Sequence, residues 1–271
     1  MKKIIILCLT FILVFSLSAC GQKEDVLRVG MDLQYPPFET VDEMNNPMGI
    51  SVDIAKELGE FMGVDVEIVN TDFGSIIPAL ESGDIDIAIA SMSINEEREK
   101  KVDFTNPYVF FKIIGLLNVD YAEANGIDAN TPMSEILKNK DTRFVGLASQ
   151  VSASIPQSLG FDVLEATEKA SAILEVSQGT ADVFLMSGSV VAQAHKSQPN
   201  TTMIVWSPIQ SSPIGMAVAE GNTQLLEKAN EFILKMNDEG GVNDMLTEKW
   251  DEVIRESLAG LHGFEFYLNE N

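Results

Sequence analysis

Cysteine and histidine are almost absent from this sequence. Two cysteines, Cys8 and Cys20, and two histidines, His195 and His262, occur among 271 residues. Both cysteines lie in the first twenty residues, so the remainder of the chain can form no disulfide. The histidines stand alone, with no cysteine or paired carboxylates at the spacing of metal ligands. The sequence therefore predicts no metal site and no cofactor.

Positive charge is scarce as well. Eighteen lysine and arginine residues stand against 41 aspartate and glutamate residues, which gives a net charge of −23. Such a surface repels nucleic acid, so nucleic acid is excluded as a partner. Hydrophobic residues make up 45% of the chain, too large a share for a disordered protein. The length suits one large folded domain or two small ones.

Two further patterns are missing from most of the chain. No GxSxG segment marks a nucleophilic serine of the hydrolase type. After the first twenty residues, no apolar run reaches the length that spans a bilayer. The sequence thus favours neither a serine hydrolase nor an integral membrane protein.

The first residues have the pattern of an export signal. Lys2 and Lys3 precede an uncharged apolar run at 4–17, and "LSAC" follows. This order is typical of a secretory signal peptide. The cysteine after "LSA" resembles the lipobox of bacterial lipoproteins, in which that cysteine is lipidated. We expect a signal peptide at 1–19, lipidation of Cys20, a tether at 20–25 and an extracytoplasmic protein anchored by lipid to the cell membrane. The alternative is a plain signal peptide with an incidental cysteine.

The remainder alternates between predicted strands and helices. The first unit has strands at 26–32, 64–70 and 85–90 with helices at 51–63 and 73–83 between them. The second has strands at 143–149, 161–166 and 181–186, with helices at 151–160, 168–179 and 187–197. A strand at 212–219 returns to the first unit, and helices follow at 222–240 and 242–253. This order is typical of parallel sheets with crossover helices.

The pattern predicts two α/β lobes with a ligand cleft between them. We assign 26–114 and 214–260 to lobe 1 and 115–213 to lobe 2, with hinge strands near 113–118 and 212–218. The segment 261–271 is predicted as a C-terminal tail, which either packs on lobe 1 or is loose. Ligands of such sheets bind at the carboxyl ends of strands.

The segment "SMSINEER" lies at one of those strand ends. Ser91 and Ser93 follow the apolar strand directly, at the expected mouth of the cleft. "NEER" predicts a helix start with Asn95 as its N-cap, which places Arg98 one turn into the helix. A guanidinium beside hydroxyl groups can hold a carboxylate, because its planar fork matches the two oxygens. The alternative on spacing alone is a surface arginine that pairs with a nearby acid.

Three segments carry a resemblance to a known family. "DLQYPPFE", "TDFGSIIPALESGDIDIAIASMSINEEREKKVDFTNPY" and "VGLAS…GTADVFLMSGSVVA" resemble the extracellular solute-binding proteins, family 3, of bacterial ABC importers, chiefly those for polar amino acids. The similarity runs from about residue 26 to residue 250. It implies the two-lobed clamshell of periplasmic binding proteins (type II), with two crossover hinge strands.

The resemblance also implies roles for lobe 1 residues. Arg98 would bind the α-carboxylate of the ligand, helped by Ser93 and by the backbone at Ser91 and Met92. Two aromatic side chains, Tyr35 and Phe73, would stack on the ligand, although a lone aromatic such as Phe73 is equally compatible with core packing. Asp32 matches an acid that often contacts the distal polar group of the ligand.

Lobe 2 departs from the family pattern at two places. The glycine and hydroxyl residue that usually open the helix after the "VG" strand correspond to Gln150, Val151 and Ser152. The aspartate that usually binds the α-amino group corresponds to Ser187. A charged hydrogen bond contributes about 1.5–3 kcal/mol and a neutral one about 1 kcal/mol. We therefore expect a ligand whose α-amine is absent or modified.

The function expected from these features is capture of a small carboxylate-bearing solute and its delivery to an ABC permease in the cytoplasmic membrane, by a monomer that does no chemistry. One alternative is an enzyme on the same fold, similar to cyclohexadienyl dehydratases, which would need an acid facing the substrate from lobe 2. A second alternative is a ligand sensor for a membrane signalling partner. Genes for a permease and an ATPase beside this one would favour transport.

Overall fold

The computed structural model describes residues 26–258, 260 and 262–270. The predicted signal peptide at 1–19, Cys20 and the tether at 20–25 lie outside the described residues. Of the helices in the described ranges, none is both long and apolar enough to cross a membrane. The same ranges hold no group of three or more histidine, cysteine, aspartate or glutamate side chains arranged to bind a metal ion.

The strands and helices follow the order expected from the sequence. The strands are β1 Val26–Met31, β2 Thr40–Val41, β3 Pro47–Met48, β4 Asp65–Asn70, β5 Ile87–Ala88, β6 Val102–Phe104, β7 Val109–Asn118, β8 Phe144–Leu147, β9 Val163–Ala166, β10 Val183–Ser187, β11 Thr202–Ile214 and β12 Ala217–Ala219. The α-helices are α1 Ile50–Met62, α2 Ile76–Ser82, α3 Val119–Ala124, α4 Met133–Ile136, α5 Val151–Ser158, α6 Lys169–Ser177, α7 Gly188–Ser197, α8 Thr223–Met236, α9 Val242–Ser257 and α10 Glu265–Leu268.

Two five-stranded sheets form the cores of two lobes. The first has the order β4-β1-β5-β12-β6, with β1 parallel to β4 and β5. The second has the order β11-β7-β10-β8-β9, with β8 parallel to β9 and β10. Crossover helices connect the parallel strands, as α1 does between β1 and β4. The predicted α/β clamshell is confirmed.

Helix α1 shows how the sequence sets these connections. Its apolar side chains at Val52, Ile54, Ala55 and Leu58 recur at helical spacing and are fully buried. Gly63 ends the helix at φ +71°, a left-handed conformation that favours glycine. The chain then turns into β4 beside β1. The carboxyl ends of both strands thereby lie at the edge of the sheet that faces the second lobe.

Two long strands carry the chain between the sheets. β7 and β11 pair antiparallel over most of their length, with a register shift between Val205 and Gln210. β6 of the first sheet precedes β7, and β12 of the first sheet follows β11. The chain therefore crosses twice between the lobes, on two strands that pair antiparallel.

Two sequence-based assignments need correction. "NEER" forms no helix but a turn, in which the backbone N–H groups of Lys101 and Val102 both donate to the carbonyl of Arg98. β6 begins at Val102, seven residues after Asn95, and the chain must be extended there, so the turn does not continue into a helix. The apolar run at 85–90 pairs as a strand only at β5, because its last residues leave the sheet to enter the cleft.

The C-terminal segment (262–270) packs against the hinge ribbon. Phe264 and Tyr267 are fully buried, and the Tyr267 ring lies edge-on to Phe111 of β7 at 5.4 Å between centroids. The ammonium of Lys112 donates to the carbonyls of Asn269 and Glu270 at 2.8 and 2.5 Å. Within these residues, the segment is therefore a packed part of the fold.

Candidate functional site

A cavity of about 80 Å³ lies between the two lobes. It shares Asp32, Phe73, Arg98, Gln150 and Lys169 with a wider groove of about 1250 Å³ along the cleft. Residues from both lobes and from the hinge strand β7 line the cavity. They are Asp32, Tyr35, Phe73, Ala90, Ser91, Ser93 and Arg98 from lobe 1, Phe111 and Ile113 from β7, and Gln150, Val151, Lys169, Met186 and Ser187 from lobe 2.

Nine of the eleven binding residues predicted from the sequence line this cavity. The two exceptions are Met92 and Ser152. Met92 lines the wider groove, and its backbone carbonyl accepts from the N–H of Gly215. The Ser152 hydroxyl is fully buried and accepts from the N–H of Leu147 at 2.9 Å, so it supports the strand end behind the cavity. The role of the other nine in binding a ligand stays a prediction.

Arg98 is a buried cation without an acidic partner. Its side chain is 8% exposed, and its guanidinium donates to the carbonyls of Ser93 at 2.8 Å and Ser149 at 3.0 Å. No ion pair in the described part of the chain includes it. Burial lowers the pKa of Arg98, because the charged form loses solvation. An anion in the cavity would compensate this charge.

The loops around Arg98 contain two serines in strained backbone conformations. Ser91 has φ +50° and Ser149 has φ +60°, in the left-handed region that residues other than glycine rarely adopt. Each such residue costs about 1–3 kcal/mol and persists where its surroundings hold it. The carbonyl of Ser149 accepts from Arg98 across the cleft. The strained turns therefore shape the immediate surroundings of the guanidinium.

Glu39 holds Ser91 from beneath the cavity. The Ser91 hydroxyl donates to both carboxyl oxygens of Glu39, at 2.8 and 3.1 Å, and the Ser51 hydroxyl donates to one of them at 2.7 Å. The side chain of Glu39 is 1% exposed, and burial raises its pKa to about 8. Glu39 was not among the site residues predicted from the sequence, although it ends the quoted segment "DLQYPPFE".

Asp32 offers one unsatisfied oxygen. Its Oδ2 accepts from the backbone N–H of Phe73 at 3.3 Å, while Oδ1 is buried and has no hydrogen-bond partner among the described residues. The ring of Phe73 lies 5.2 Å from the guanidinium carbon of Arg98, which is cation–π distance. Phe73 therefore lines the cavity and lies beside the Arg98 guanidinium.

Tyr35 and Ser187 meet across the cleft. Their hydroxyl groups are 2.5 Å apart, and Ser187 is 1% exposed. The Tyr35 ring is stacked parallel to Phe111 at 6.1 Å. Burial raises the pKa of Tyr35 above its ordinary value, so the hydroxyl stays protonated. No carboxylate stands at position 187, as the sequence shows, and the serine hydroxyl is bonded to lobe 1.

Lys169 is a second cation in the cavity that the sequence analysis missed. It is the first residue of α6, half-buried, and its ammonium donates to the carbonyl of Gln34 at 2.8 Å. The same nitrogen lies 4.9 Å from the centroid of the Tyr35 ring. Burial lowers the pKa of Lys169, and the carboxylates of Asp32 and Glu39 oppose that shift. Asp32 is thus partly compensated by a cation from lobe 2.

Among the described residues, three side-chain hydrogen bonds cross between the lobes at this site outside the hinge strands. They join Arg98 to Ser149, Tyr35 to Ser187 and Lys169 to Gln34. The structure therefore has the lobes in direct contact around the cavity. Every lobe 2 residue that lines the cavity is neutral or cationic: Gln150, Val151, Lys169, Met186 and Ser187.

The sequence and the fold were compared with known proteins. The bacterial extracellular solute-binding proteins, family 3, match residues 27–121. The L-cystine-binding protein TcyJ of Escherichia coli (strain K12) is 26% identical over 230 residues, which are 84% of each chain. The arginine-binding extracellular protein ArtP of Bacillus subtilis (strain 168) is 25% identical over 260 residues, covering 92% of this chain and 98% of ArtP.

A solved structure agrees with these matches. The ancestral amino acid-binding protein AncCDT-1, a precursor of cyclohexadienyl dehydratase, superposes with a TM-score of 0.68 and 31% identity. The match covers 83% of this chain and 94% of that protein. Similarity of this extent, in sequence and in fold, shows the family. The chain belongs to the bacterial extracellular solute-binding proteins, family 3.

Proposed function

We propose that this protein is the extracytoplasmic solute-binding lipoprotein of an ABC importer. It captures a small carboxylate-bearing solute, an amino acid or a relative of one, by closure of lobe 1 (26–114 and 214–260) on lobe 2 (115–213). It then delivers the solute unchanged to a permease in the cytoplasmic membrane. The relatives TcyJ and ArtP, named as cystine- and arginine-binding proteins, support this class of ligand.

The observation that carries the proposal is Arg98. A guanidinium that is 8% exposed, stands in an interlobe cavity and has no acidic partner in the described residues needs an anion. A ligand carboxylate supplies two oxygens for its planar fork. The Ser93 hydroxyl lines the same cavity and is suited to assist, because it accepts from the Ser212 hydroxyl and keeps its own proton to donate. Because residues of both lobes line the cavity, a ligand bound to Arg98 also contacts lobe 2 and so favours the closed form.

The serine at position 187 favours a ligand that has no ordinary α-ammonium group. Lobe 2 offers no carboxylate in the cavity to neutralise such a group, and the Ser187 hydroxyl is already bonded to Tyr35. A zwitterionic amino acid would therefore lose a charged hydrogen bond relative to a site with aspartate at this position. We infer that the α-nitrogen of the ligand is absent, acylated, alkylated or part of a ring.

The same reasoning favours binding over catalysis. A dehydratase on this fold needs a proton donor that faces the substrate from lobe 2. The lobe 2 residues at the cavity carry no carboxyl group. Incubation with prephenate should accordingly yield no phenylpyruvate, and its formation would favour the enzyme.

The anchor is proposed from the sequence around Cys20. Lipidation of this cysteine with several acyl chains gives stable attachment, where a single chain is marginal. Mass spectrometry of membrane-bound protein should find a modified Cys20 at its N-terminus. A Cys20→Ser variant should lose the modification and leave the membrane fraction; wild-type protein that is wholly soluble after cell lysis would contradict the anchor.

Substitution of Arg98 tests the proposed function. A thermal-shift screen of amino acids, betaines and small carboxylic acids identifies ligands, because bound ligand raises the free energy of unfolding. Calorimetry on those ligands should then show no measurable binding by Arg98→Ala. Arg98→Lys should bind much more weakly than wild type, since a point charge cannot reproduce the two-pronged contact.

The control is Arg255→Ala, which removes a half-exposed arginine on α9 whose partners are Asp251 and Glu265. This variant should bind as wild type does. The melting temperature of each unliganded variant should stay within a few degrees of wild type. Equal affinity of wild type and Arg98→Ala would contradict the proposed function.

A further inference from the structure

Lys169 is placed to contact a ligand. Its ammonium has three N–H donors, and the described residues supply one hydrogen-bond acceptor, the carbonyl of Gln34. The residue lines both the cavity and the wider groove. It therefore has hydrogen-bonding capacity left for a group bound between the lobes.

The charges at the cavity favour an anion. Arg98 and Lys169 supply two cations, and Asp32 supplies one carboxylate. Glu39, beneath Ser91, is largely protonated at neutral pH because burial raises its pKa to about 8. The side chains at the cavity therefore carry a net charge near +1. A ligand with a charge of −1 neutralises it, a zwitterion leaves it unchanged, and a cationic ligand increases it.

The hydrogen-bonding groups near Lys169 define the ligand further. The buried Oδ1 of Asp32 has no donor among the described residues, and the ammonium of Lys169 is near enough to Asp32 for the two charges to interact. An amide group carries an N–H donor and a C=O acceptor side by side. Such a group can donate to Asp32 and accept from Lys169 at the same time, whereas an ammonium or guanidinium can satisfy only Asp32.

We propose that Lys169 is a specificity-determining residue, which selects a monoanionic ligand bearing an amide group and disfavours ligands with a cationic end. This inference rests on the proposed function, because Arg98 is taken to bind the carboxylate of the same ligand. The inference adds two properties to the proposed function. The ligand makes a second contact, with Lys169 of lobe 2, and its net charge is −1.

Two probes separate the role of Lys169 from that of Arg98. Nα-acetyl-L-glutamine and Nα-acetyl-L-lysine share the α-carboxylate and the acylated α-nitrogen, and they differ at the distal end, which is an amide in one and an ammonium in the other. In calorimetry at fixed pH and ionic strength, wild type should bind Nα-acetyl-L-glutamine at least about tenfold more tightly. Lys169→Gln should bring the two affinities close together.

The matched control is Lys140→Gln. Lys140 is also a lysine of lobe 2 that lies over an aromatic ring, that of Phe161 at 4.4 Å, and it does not line the cavity. This variant should keep the wild-type ratio. Melting temperatures of both variants establish that each is folded.

The outcomes distinguish this inference from the proposed function. If Arg98→Ala abolishes binding of both probes while Lys169→Gln leaves their ratio unchanged, the role of Lys169 is overturned and the carboxylate site stands. If Arg98→Ala binds both probes as wild type does, the proposed function fails. The inference is also overturned if the wild-type protein binds neither probe, or if it binds Nα-acetyl-L-lysine more tightly than Nα-acetyl-L-glutamine.

Discussion

At the scale of single residues, Glu39 makes the stability of the protein depend on pH. It is buried, and it receives hydrogen bonds from Ser51 and Ser91. Burial disfavours the ionised form more than these hydrogen bonds favour it, so its pKa rises from 4.5 to about 8. Between these values the folded protein holds a proton that the unfolded chain has released.

The stability of the protein should therefore fall as the pH rises from about 5 to about 8. The slope is about 1 kcal/mol per pH unit from this one group, and its contribution is constant above the pKa of the folded state. Glu39→Gln cannot titrate, so its free energy of unfolding should lack this slope. Urea denaturation of both proteins at pH 5, 6.5 and 8 measures the difference.

Glu81→Gln provides the control, because Glu81 is an exposed glutamate of α2. Its stability should follow that of wild type across the pH range. If the curves of wild type and Glu39→Gln run parallel from pH 5 to pH 8, Glu39 is ionised in the folded protein throughout that range.

Single residues of the site differ in how far the sequence predicts them. Arg98, Ser91 and Ser93 lie within one segment of eight residues, so a local sequence motif predicts them. The contact of Lys169 with Gln34 joins residues 135 positions apart, and it depends on how the lobes close. No local pattern in "EKASAILEVSQG" indicates that contact, because the lysine begins an ordinary amphipathic helix.

At the scale of secondary structure, the C-terminal segment supports the back of the binding site. The Tyr267 ring packs edge-on against Phe38 at 5.0 Å and Phe111 at 5.4 Å. Phe111 in turn stacks on Tyr35, which lines the cavity. A continuous set of aromatic contacts thus connects the end of the chain to the ligand site.

Tyr267→Ala should lower the free energy of unfolding by about 3–5 kcal/mol, because it leaves a large cavity beside the hinge strand β7. Denaturant unfolding of the unliganded protein measures this. Leu234→Ala on α8, where the leucine is 69% exposed, should change stability by less than about 0.5 kcal/mol. A similar small effect for both variants would show that the C-terminal segment detaches from the fold in solution.

Helices and central strands were predictable because their apolar spacing repeats over many residues. α1, α6 and α8 begin and end within a few residues of their predicted positions. The turn at "NEER" was not predictable in the same way. Asn95 is a good N-cap residue, but β6 follows it too closely for a helix to form. The short helix α10 was not predicted either, because its burial comes from contact with β7, more than 140 residues earlier.

At the scale of the whole molecule, two lobes are joined by a ribbon of two strands and by few direct contacts at the cleft. Outside the hinge strands, the hydrogen bond between Tyr35 and Ser187 is one of three side-chain hydrogen bonds of the described residues that bridge the lobes at the site. It joins lobe 1 to lobe 2 and therefore adds stability to the closed form alone. The fraction of closed molecules, and with it the apparent affinity, depends on such contacts.

Tyr35→Phe removes the bridging hydroxyl and keeps the aromatic ring. A neutral hydrogen bond contributes about 1 kcal/mol, so the ratio of closed to open molecules should fall about fivefold. Small-angle X-ray scattering of the unliganded protein should give a larger radius of gyration for this variant, and saturating ligand should remove the difference. Tyr121→Phe is the matched control, because its hydroxyl bonds to Thr142 at 2.6 Å within lobe 2. If both variants scatter as wild type does, the contact between Tyr35 and Ser187 does not hold the lobes together, and closure depends on the ligand and on the remaining bridges from Arg98 and Lys169.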